Sequence, residues 1–153
     1  MHVYLIRHAH AEDGKLDAAR PLSAKGRKQI RQIARLLRAA GAIETAEWWH
    51  SPLVRARDTA ALLAKQLGDD APHREVSGLK PDDDPTLVAR KLGDARKPVA
   101  VVGHDPHLSA LASLLVVGKA EPARFRLKKA AVLRLERSSG GWTARWLISP
   151  ELL

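Results

Sequence analysis

The chain has 153 residues, of which 45% are hydrophobic, and this suits one domain with one sizeable core. It has no cysteine, which excludes disulfide bonds and thiolate metal sites. The net charge of +9 favours anionic partners: nucleic acid, phosphoprotein, polyphosphate or phosphorylated metabolites. The N-terminus lacks the pattern of a signal peptide, and no apolar stretch is long enough to span a membrane. We therefore expect a cytoplasmic protein, monomeric and without a membrane partner.

The first predicted element is a strand. An apolar run over residues 2–6 ends abruptly at Arg7 and His8. A buried strand has this pattern when it delivers polar side chains to the edge of a sheet, where ligands bind in open α/β folds. Arginine beside histidine suggests an anion site with a nucleophile or base next to it, although two exposed surface residues would give the same pattern.

The first predicted helix begins after Ser23, a good N-cap, and ends near Ala40, with Gly41 as its stop. One face of this helix is apolar or small: Gly26, Ile30, Ile33, Ala34 and Leu37. Another face is basic: Arg27, Lys28, Arg31, Arg35 and Arg38. The basic stripe of helix 23–40 fits either a solvated surface or a docking surface for an acidic partner.

Strands and helices alternate along the rest of the chain. Strands are predicted over 45–50, near 75–79 and over 99–102, and helices from Ser51-Pro52 to Leu67, over 86–92 and over 107–117. Proline is expected at the first position of the helix after Ser51. Two final runs, 131–136 and 142–148, flank a Ser-Ser-Gly-Gly turn and are typical of a hairpin. This order predicts a single domain, 1–153, with three α/β/α layers, a mostly parallel central sheet and an antiparallel C-terminal hairpin at its edge.

Three of the predicted strand ends carry side chains suited to chemistry. The first ends at Arg7 and His8, the second leads to Arg55 one turn into its helix, and the strand over 99–102 leads to His104. If these strands run parallel, the four side chains converge on one rim. Two imidazoles and two guanidinium groups there would form a phosphate site with a candidate nucleophile.

Four segments also resemble motifs of the histidine phosphatase superfamily, the phosphoglycerate-mutase-like family. They are Leu5–Ala11, Arg20–Ser23 followed by Gly26, Ser51–Thr59 and Val101–Pro106. Their order and spacing fit the family over the whole chain. The short length, without a large insertion between motifs, most resembles the small SixA-like phosphohistidine phosphatase branch.

The resemblance implies a role for each of five residues. His8 would be the nucleophile that forms a phosphohistidine intermediate, while Arg7 and Arg55 would bind the non-bridging oxygens. His104 would donate to the same oxygens. Arg20 would enter the pocket from its loop to bind phosphate, or it would anchor that loop to the helix. The implied activity is that of a phosphatase that needs no metal or cofactor and acts on phosphohistidine in a protein. A small phosphorylated metabolite or polyphosphate is the alternative substrate.

Two positions depart from the family pattern. Ala9 stands where glycine is common, and alanine disfavours a positive φ. No carboxylic acid of this chain aligns with the general acid that many members of the family have. The run Asp82–Asp84 fits a solvated turn with a helix cap at Asp84, and the other candidates, Glu12 and Asp13, lie in the first loop. A phosphorylated imidazole leaves more readily than an alcohol, so a site without a general acid suits a phosphoramidate.

Two other classes of function are considered. In a metal hydrolase, His8, His10, His104 and His107 would supply imidazoles, but the arginines would repel a dication. A nucleic-acid binder would be consistent with the charge, but the chain has no recognised nucleic-acid motif. The tryptophans are better explained by packing: Trp48 and Trp49 are expected on opposite faces of a strand, and Trp142 and Trp146 on one face of the last strand. We therefore expect no nucleic-acid partner.

Overall fold

The computed structural model describes all 153 residues and contains a six-stranded mixed sheet flanked by four α-helices. The strands are β1 (His2–Arg7), β2 (Glu47–His50), β3 (His73–Glu75), β4 (Val99–Gly103), β5 (Val132–Ser138) and β6 (Gly141–Ile148). The helices are α1 (Ala24–Ala40), α2 (Val54–Leu67), α3 (Pro85–Asp94) and α4 (His107–Val117), with short 3₁₀ helices at Asp17–Ala19 and Pro150–Leu152. None of the helices combines the length and apolarity needed to cross a membrane.

The sheet has the strand order β3-β2-β4-β1-β5-β6. The first four strands in this order are parallel, whereas β5 runs antiparallel to both β1 and β6. Arg7 at the end of β1 pairs with Gly103 at the end of β4. The residues that follow these two strands, His8 and His104, therefore emerge at the same edge of the sheet.

The two faces of the sheet are covered by different helices. Tyr4, Ile6 and Trp48 pack with α1 and α2 in one core. The neighbouring strand residues Val3, Leu5 and Trp49 pack with α3 and α4 in the other core. Because side chains alternate along a strand, both faces of β1 and β2 are buried, as in other parallel sheets. The predicted three-layer architecture, the edge hairpin and the opposite orientations of Trp48 and Trp49 are confirmed.

The predicted ends of α1 are confirmed. The Ser23 hydroxyl accepts a 3.0 Å hydrogen bond from the Gly26 amide, and Gly41 closes the helix with a φ of 57°. The predicted start of α2 is wrong, because the extended backbone of Leu53 is the N-cap and Pro52 lies before it. The third strand lies at 73–75, earlier than predicted, since the chain turns at Gly78 with a φ of 91°.

The prediction that Trp142 and Trp146 share one face of β6 is wrong. Trp142 packs in the core beneath α3 and α4, and Trp146 packs in the core beneath α1 and α2. The cause is a register shift between Arg134 and Leu135, whose partners are Trp146 and Ala144. The extra residue in β6, Arg145, forms a bulge, so the side chains after it point to the opposite face of the sheet from the one that the alternation predicts.

Candidate active site

The two histidines predicted to converge do meet at the carboxyl edge of β1 and β4. Their ring centroids lie 5.0 Å apart, and both side chains are buried. The His8 amide donates a 2.9 Å hydrogen bond to the Gly103 carbonyl, which continues the β1–β4 pairing one residue beyond the strands. The spacing of the two imidazoles is thus fixed by the sheet itself.

His8 is held in one tautomer. Its Nδ1 lies 2.7 Å from the Ala9 carbonyl oxygen. A carbonyl oxygen can only accept, so Nδ1 carries the proton and Nε2 keeps a free lone pair. Burial, together with the charges of Arg55 and Arg7, lowers the pKa of His8 to about 4. At neutral pH the ring is therefore uncharged and able to act as a nucleophile.

The backbone after His8 is fastened to α2. The Ala9 amide donates a 3.0 Å hydrogen bond to Thr59 Oγ1, and that hydroxyl donates in turn to the Arg55 carbonyl over 2.7 Å. Ala9 does not adopt a positive φ, so alanine causes no strain in place of glycine. The non-glycine residue with positive φ is Ala130, at 60°, and its amide donates to the Arg7 carbonyl over 3.0 Å and to the His8 carbonyl over 3.2 Å.

Gly26 allows α1 to approach the loop that follows His8. A Cβ at this position would lie 2.0 Å from the carbonyl oxygen of His10. That same carbonyl accepts a 3.1 Å hydrogen bond from the Ser23 amide, directly before the helix. The close approach of helix and loop therefore depends on the missing side chain.

His104 is held by Ser51. Its Nε2 lies 2.6 Å from the Ser51 hydroxyl, which also accepts a 3.2 Å hydrogen bond from the Leu53 amide. The Nδ1 of His104 is buried and makes no hydrogen bond within the protein. Burial, followed by the charges of His8 and Arg55, lowers the pKa of His104 to about 3. Ser51 thus has a defined role at the site, which the sequence motif did not reveal.

Arg7 and Arg55 lie close enough to His8 for their charges to lower its pKa. Arg7 Nη1 donates a 2.9 Å hydrogen bond to the Leu127 carbonyl and lies 3.9 Å from Asp105. Arg55, which is buried, donates from Nη1 to the main-chain carbonyl of Asp17 over 2.9 Å. The Nε atoms of both guanidinium groups are buried and have no partner in the protein. The structure therefore brings together all four residues of the predicted phosphate site.

Asp17 is a member of this site that the sequence reasoning missed. One carboxylate oxygen lies 3.3 Å from Arg55 Nη2, and the other lies 3.2 Å from Arg20 Nη1. The hydrogen bond from Arg20, followed by the charge of Arg55, lowers the pKa of Asp17, which stays ionised at neutral pH. No pattern in the sequence singles out this residue, because it lies in a short 3₁₀ helix of the polar segment between two motifs.

Arg20 lies at the rim of the site. Its Nε donates a 2.8 Å hydrogen bond to the Glu12 carbonyl, which anchors its own loop. It reaches Arg55 only through the shared carboxylate of Asp17. The hydrogen bond to Glu12 supports the role of Arg20 as an anchor of the loop, and phosphate binding by Arg20 stays a prediction.

The remaining carboxylates and histidines have other partners. Asp84 caps α3 by accepting a 2.9 Å hydrogen bond from the Thr86 amide, as predicted. His10 Nδ1 lies 2.6 Å from the Ser23 hydroxyl, and His107 is buried at the start of α4. No group of three or more histidine or carboxylate side chains is arranged to hold a metal ion. The alternative with four imidazole ligands gains no support from this geometry.

Comparison with known protein families identifies the family of this chain. The sequence profile of the histidine phosphatase superfamily (branch 1) matches residues 3–80, half of the chain. The chain belongs to this superfamily. Members of the histidine phosphatase superfamily are phosphatases and related hydrolases, and the matched region contains His8, Arg7 and Arg55. Comparison with curated protein sequences gives no match.

Solved structures of several phosphatases share the fold over nearly the full chain. The protein histidine phosphatase SixA, solved with tungstate, is 26% identical with a TM-score of 0.88, and 99% of each chain is covered. An alpha-ribazole phosphatase from Shigella flexneri is 20% identical with a TM-score of 0.79, covering 98% of this chain and 97% of that one. A phosphoserine phosphatase from Entamoeba histolytica is 19% identical with a TM-score of 0.72, covering 99% and 98%. One fold thus accommodates several phosphorylated substrates, and the fold alone does not select among them.

Proposed function

We propose that this protein hydrolyses phosphohistidine on a protein substrate through a covalent phosphohistidine intermediate on His8. The observation that carries the proposal is the state of His8: a neutral ring with its Nδ1 proton directed to the Ala9 carbonyl, its Nε2 free, and the charges of two arginines acting on it. The structural likeness to a protein histidine phosphatase supports the choice of substrate.

In the first step, His8 Nε2 attacks phosphorus and a new N–P bond forms. The N–P bond of the substrate breaks, and its electron pair goes to the leaving imidazole nitrogen. The positive charge that develops on the His8 ring is stabilised by the hydrogen bond that Nδ1–H donates to the Ala9 carbonyl oxygen. Arg7 and Arg55 bind the non-bridging oxygens, since a planar guanidinium offers paired donors to phosphate.

His104 is the further donor to these oxygens. In our proposal the Ser51 hydroxyl donates to His104 Nε2, and the ring proton then resides on Nδ1, the nitrogen without a partner in the protein. A neutral imidazole can donate one hydrogen bond without repelling the nearby arginines. In the second step, water attacks the phosphorus of phosphorylated His8, the N–P bond breaks and phosphate is released, with the proton of the water passing to phosphate or solvent.

The state of the Asp17 carboxylate supports the proposed substrate class. Asp17 is paired with two arginines and stays ionised, so it has no proton to give to a leaving group. An alkoxide leaving group needs such a proton, whereas an imidazole can leave as a neutral molecule when its other nitrogen carries one. The arrangement therefore favours a phosphoramidate over a phosphate ester.

A substrate panel tests this proposal. We expect kcat/KM to be highest for a phosphohistidine peptide, and lower for p-nitrophenyl phosphate, for sugar phosphates and for polyphosphate. Efficient turnover of sugar phosphates or polyphosphate with phosphohistidine left intact would contradict the proposed substrate while leaving the nucleophile in place. The preparation should be assayed with and without EDTA, and equal rates are expected because the nucleophile is a side chain.

A further inference from the structure

A strongly basic groove lies next to the active site. Its cavity of about 490 Å³ contains five cationic side chains and one carboxylate, that of Glu151. The cations are Arg7, Lys25, Lys28, Lys128 and Lys129. Because Arg7 also belongs to the predicted phosphate site, the groove adjoins that site. We call the cavity that these five cations line the basic groove.

Electrostatic coupling supports this proximity. Burial and the charges of Arg7, Arg20, Lys25 and Arg55 lower the pKa of Lys129. Lys129 in turn contributes to the lowered pKa of His8. Charges at the groove and at the nucleophile therefore act on one another, and an anion bound in the groove lies within the field of the active site.

The basic stripe of α1 extends over two cavities in the structure. Lys28 of the stripe lines the basic groove together with Lys25, which lies three residues before it on the same helix. Arg31, Arg35 and Arg38 line a separate cavity of about 430 Å³ with Gln66 of α2. Only the N-terminal part of the stripe thus continues to Arg7, and the C-terminal part provides a matched surface with the same charge but a different location.

We propose that the basic groove binds an acidic polypeptide segment that flanks the phosphohistidine of the substrate. This inference rests on the proposed function, and it specifies which phosphohistidine proteins the site accepts. Because Arg7 lines the groove and also belongs to the predicted phosphate site, residues next to a bound phosphohistidine would lie near the groove. Acidic side chains there would meet several cations, with a single carboxylate opposing them.

The exposure of the lysines favours a polypeptide over a small polyanion as the occupant. Lys25, Lys28 and Lys128 are exposed, and only Lys129 and Arg7 are half-buried. The cations come from β1, from α1 and from the segment before β5, so they spread over an open surface. Exposed charges of this kind steer and orient a complementary surface, whereas a small polyanion is typically held by enclosed, fixed donors.

Two synthetic phosphohistidine peptides of equal length, one with glutamate and one with glutamine on both sides of the phosphohistidine, test the proposal. For the wild-type protein we expect kcat/KM to be about tenfold higher with the glutamate peptide, mainly through KM, and the preference to shrink at high salt. The Lys25→Glu/Lys28→Glu variant should lose this preference but keep its rate on p-nitrophenyl phosphate. The matched control Arg31→Glu/Arg35→Glu makes the same change of charge on the same helix and should keep the preference.

The outcomes separate this inference from the proposed function. Hydrolysis of both peptides with no preference for glutamate overturns the basic groove as a docking site and leaves the proposed function standing. An equal loss of preference in both double variants shows only a long-range charge effect and overturns it too. Binding of polyphosphate in place of the acidic peptide assigns the groove to a small polyanion and likewise overturns it. Failure of the wild-type protein to hydrolyse either peptide removes the proposed function itself.

Discussion

The carboxylate and the main-chain carbonyl of Asp17 both bind the guanidinium of Arg55. Arg55 Nη1 donates to the carbonyl over 2.9 Å, and Nη2 lies 3.3 Å from the carboxylate. The Asp17 side chain is itself mostly exposed, at 66% of its side-chain surface, while that of Arg55 is 6% exposed. The loop before α1 thus positions a buried cation of the phosphate site from the solvent side.

Replacement of Asp17 tests this positioning role. For Asp17→Ala we expect kcat/KM to fall about tenfold, because one of the two contacts that orient Arg55 is lost. Asp17→Asn should retain part of the activity, since an amide oxygen can still accept from Nη2. The melting temperature should change little, because the carboxylate is exposed. The inhibition constant of vanadate is the decisive readout: unchanged vanadate binding together with wild-type kinetics in Asp17→Ala would exclude the role.

His104 and Ser51 are predicted to act as a pair. His104→Ala should lower kcat about 100-fold to 1,000-fold, as for the loss of one donor to a developing charge. Ser51→Ala should cost less, about tenfold, because the imidazole remains but is no longer oriented. If the pair acts as a unit, the double variant should be no slower than His104→Ala. Additive losses in this double-mutant cycle would show that Ser51 acts independently of His104.

The lowered pKa of His8 predicts the shape of the pH profile. The free enzyme should keep its nucleophile unprotonated down to a pH of about 4, so kcat/KM for p-nitrophenyl phosphate should show no enzyme ionisation near the ordinary histidine value of 6.5. As the pH falls through about 4, His8 gains a proton and activity is lost. A group of pKa near 6.5 assigned to His8 by NMR titration would contradict the account.

The same two histidines make stability depend on pH. In the folded protein the pKa values of His8 and His104 are lowered from 6.5 to about 4 and about 3. At a pH between these lowered values and 6.5, the unfolded chain therefore binds more protons than the folded protein. The contribution of these two histidines to the free energy of unfolding should therefore be largest above about pH 6.5 and decrease as the pH falls towards 3. Denaturant titrations from pH 7 to pH 4 measure this decline. A His104→Gln variant should show a shallower decline, because one of the two proton-linked groups is gone.

Two glycine substitutions in helices are expected to have opposite effects. Gly26→Ala places a Cβ 2.0 Å from the His10 carbonyl oxygen, so it should lower the free energy of unfolding by about 1–3 kcal/mol and disturb the loop after His8. Gly93→Ala in α3 meets nothing within 4 Å and should stabilise the protein by about 0.5–1 kcal/mol. Chemical denaturation of both variants is the test. Equal effects of the two substitutions would argue against the close contact at Gly26.

The site residues that follow the ends of strands could be predicted from the sequence. The apolar run of a strand and the polar residue after it are both local features of the chain. The carboxyl edge of parallel strands then brings His8 and His104 together without further information. Helix ends at Ser23 and Gly41 were predictable for the same reason, since capping depends on neighbouring residues.

Features that depend on tertiary contacts could not be predicted in this way. Asp17 begins a short 3₁₀ helix, and its contact with the site is made to Arg55, 38 residues further along the chain. The bulge at Arg145 leaves an ordinary alternating pattern in β6 and yet reverses the facing of Trp146. Ala130 adopts a positive φ because its amide bonds the carbonyls of Arg7 and His8, a constraint from more than a hundred residues away.

The most direct test of the central claim is to trap the phosphorylated enzyme. Rapid quenching of the protein with a ³²P-labelled phosphohistidine peptide should yield a covalent label that is lost in acid and stable in alkali, as for a phosphoramidate. Mass spectrometry under alkaline conditions should place the label on His8, and His8→Ala should neither acquire the label nor turn over substrate. Turnover at the wild-type rate by His8→Ala, or a label on any other residue, would contradict the account.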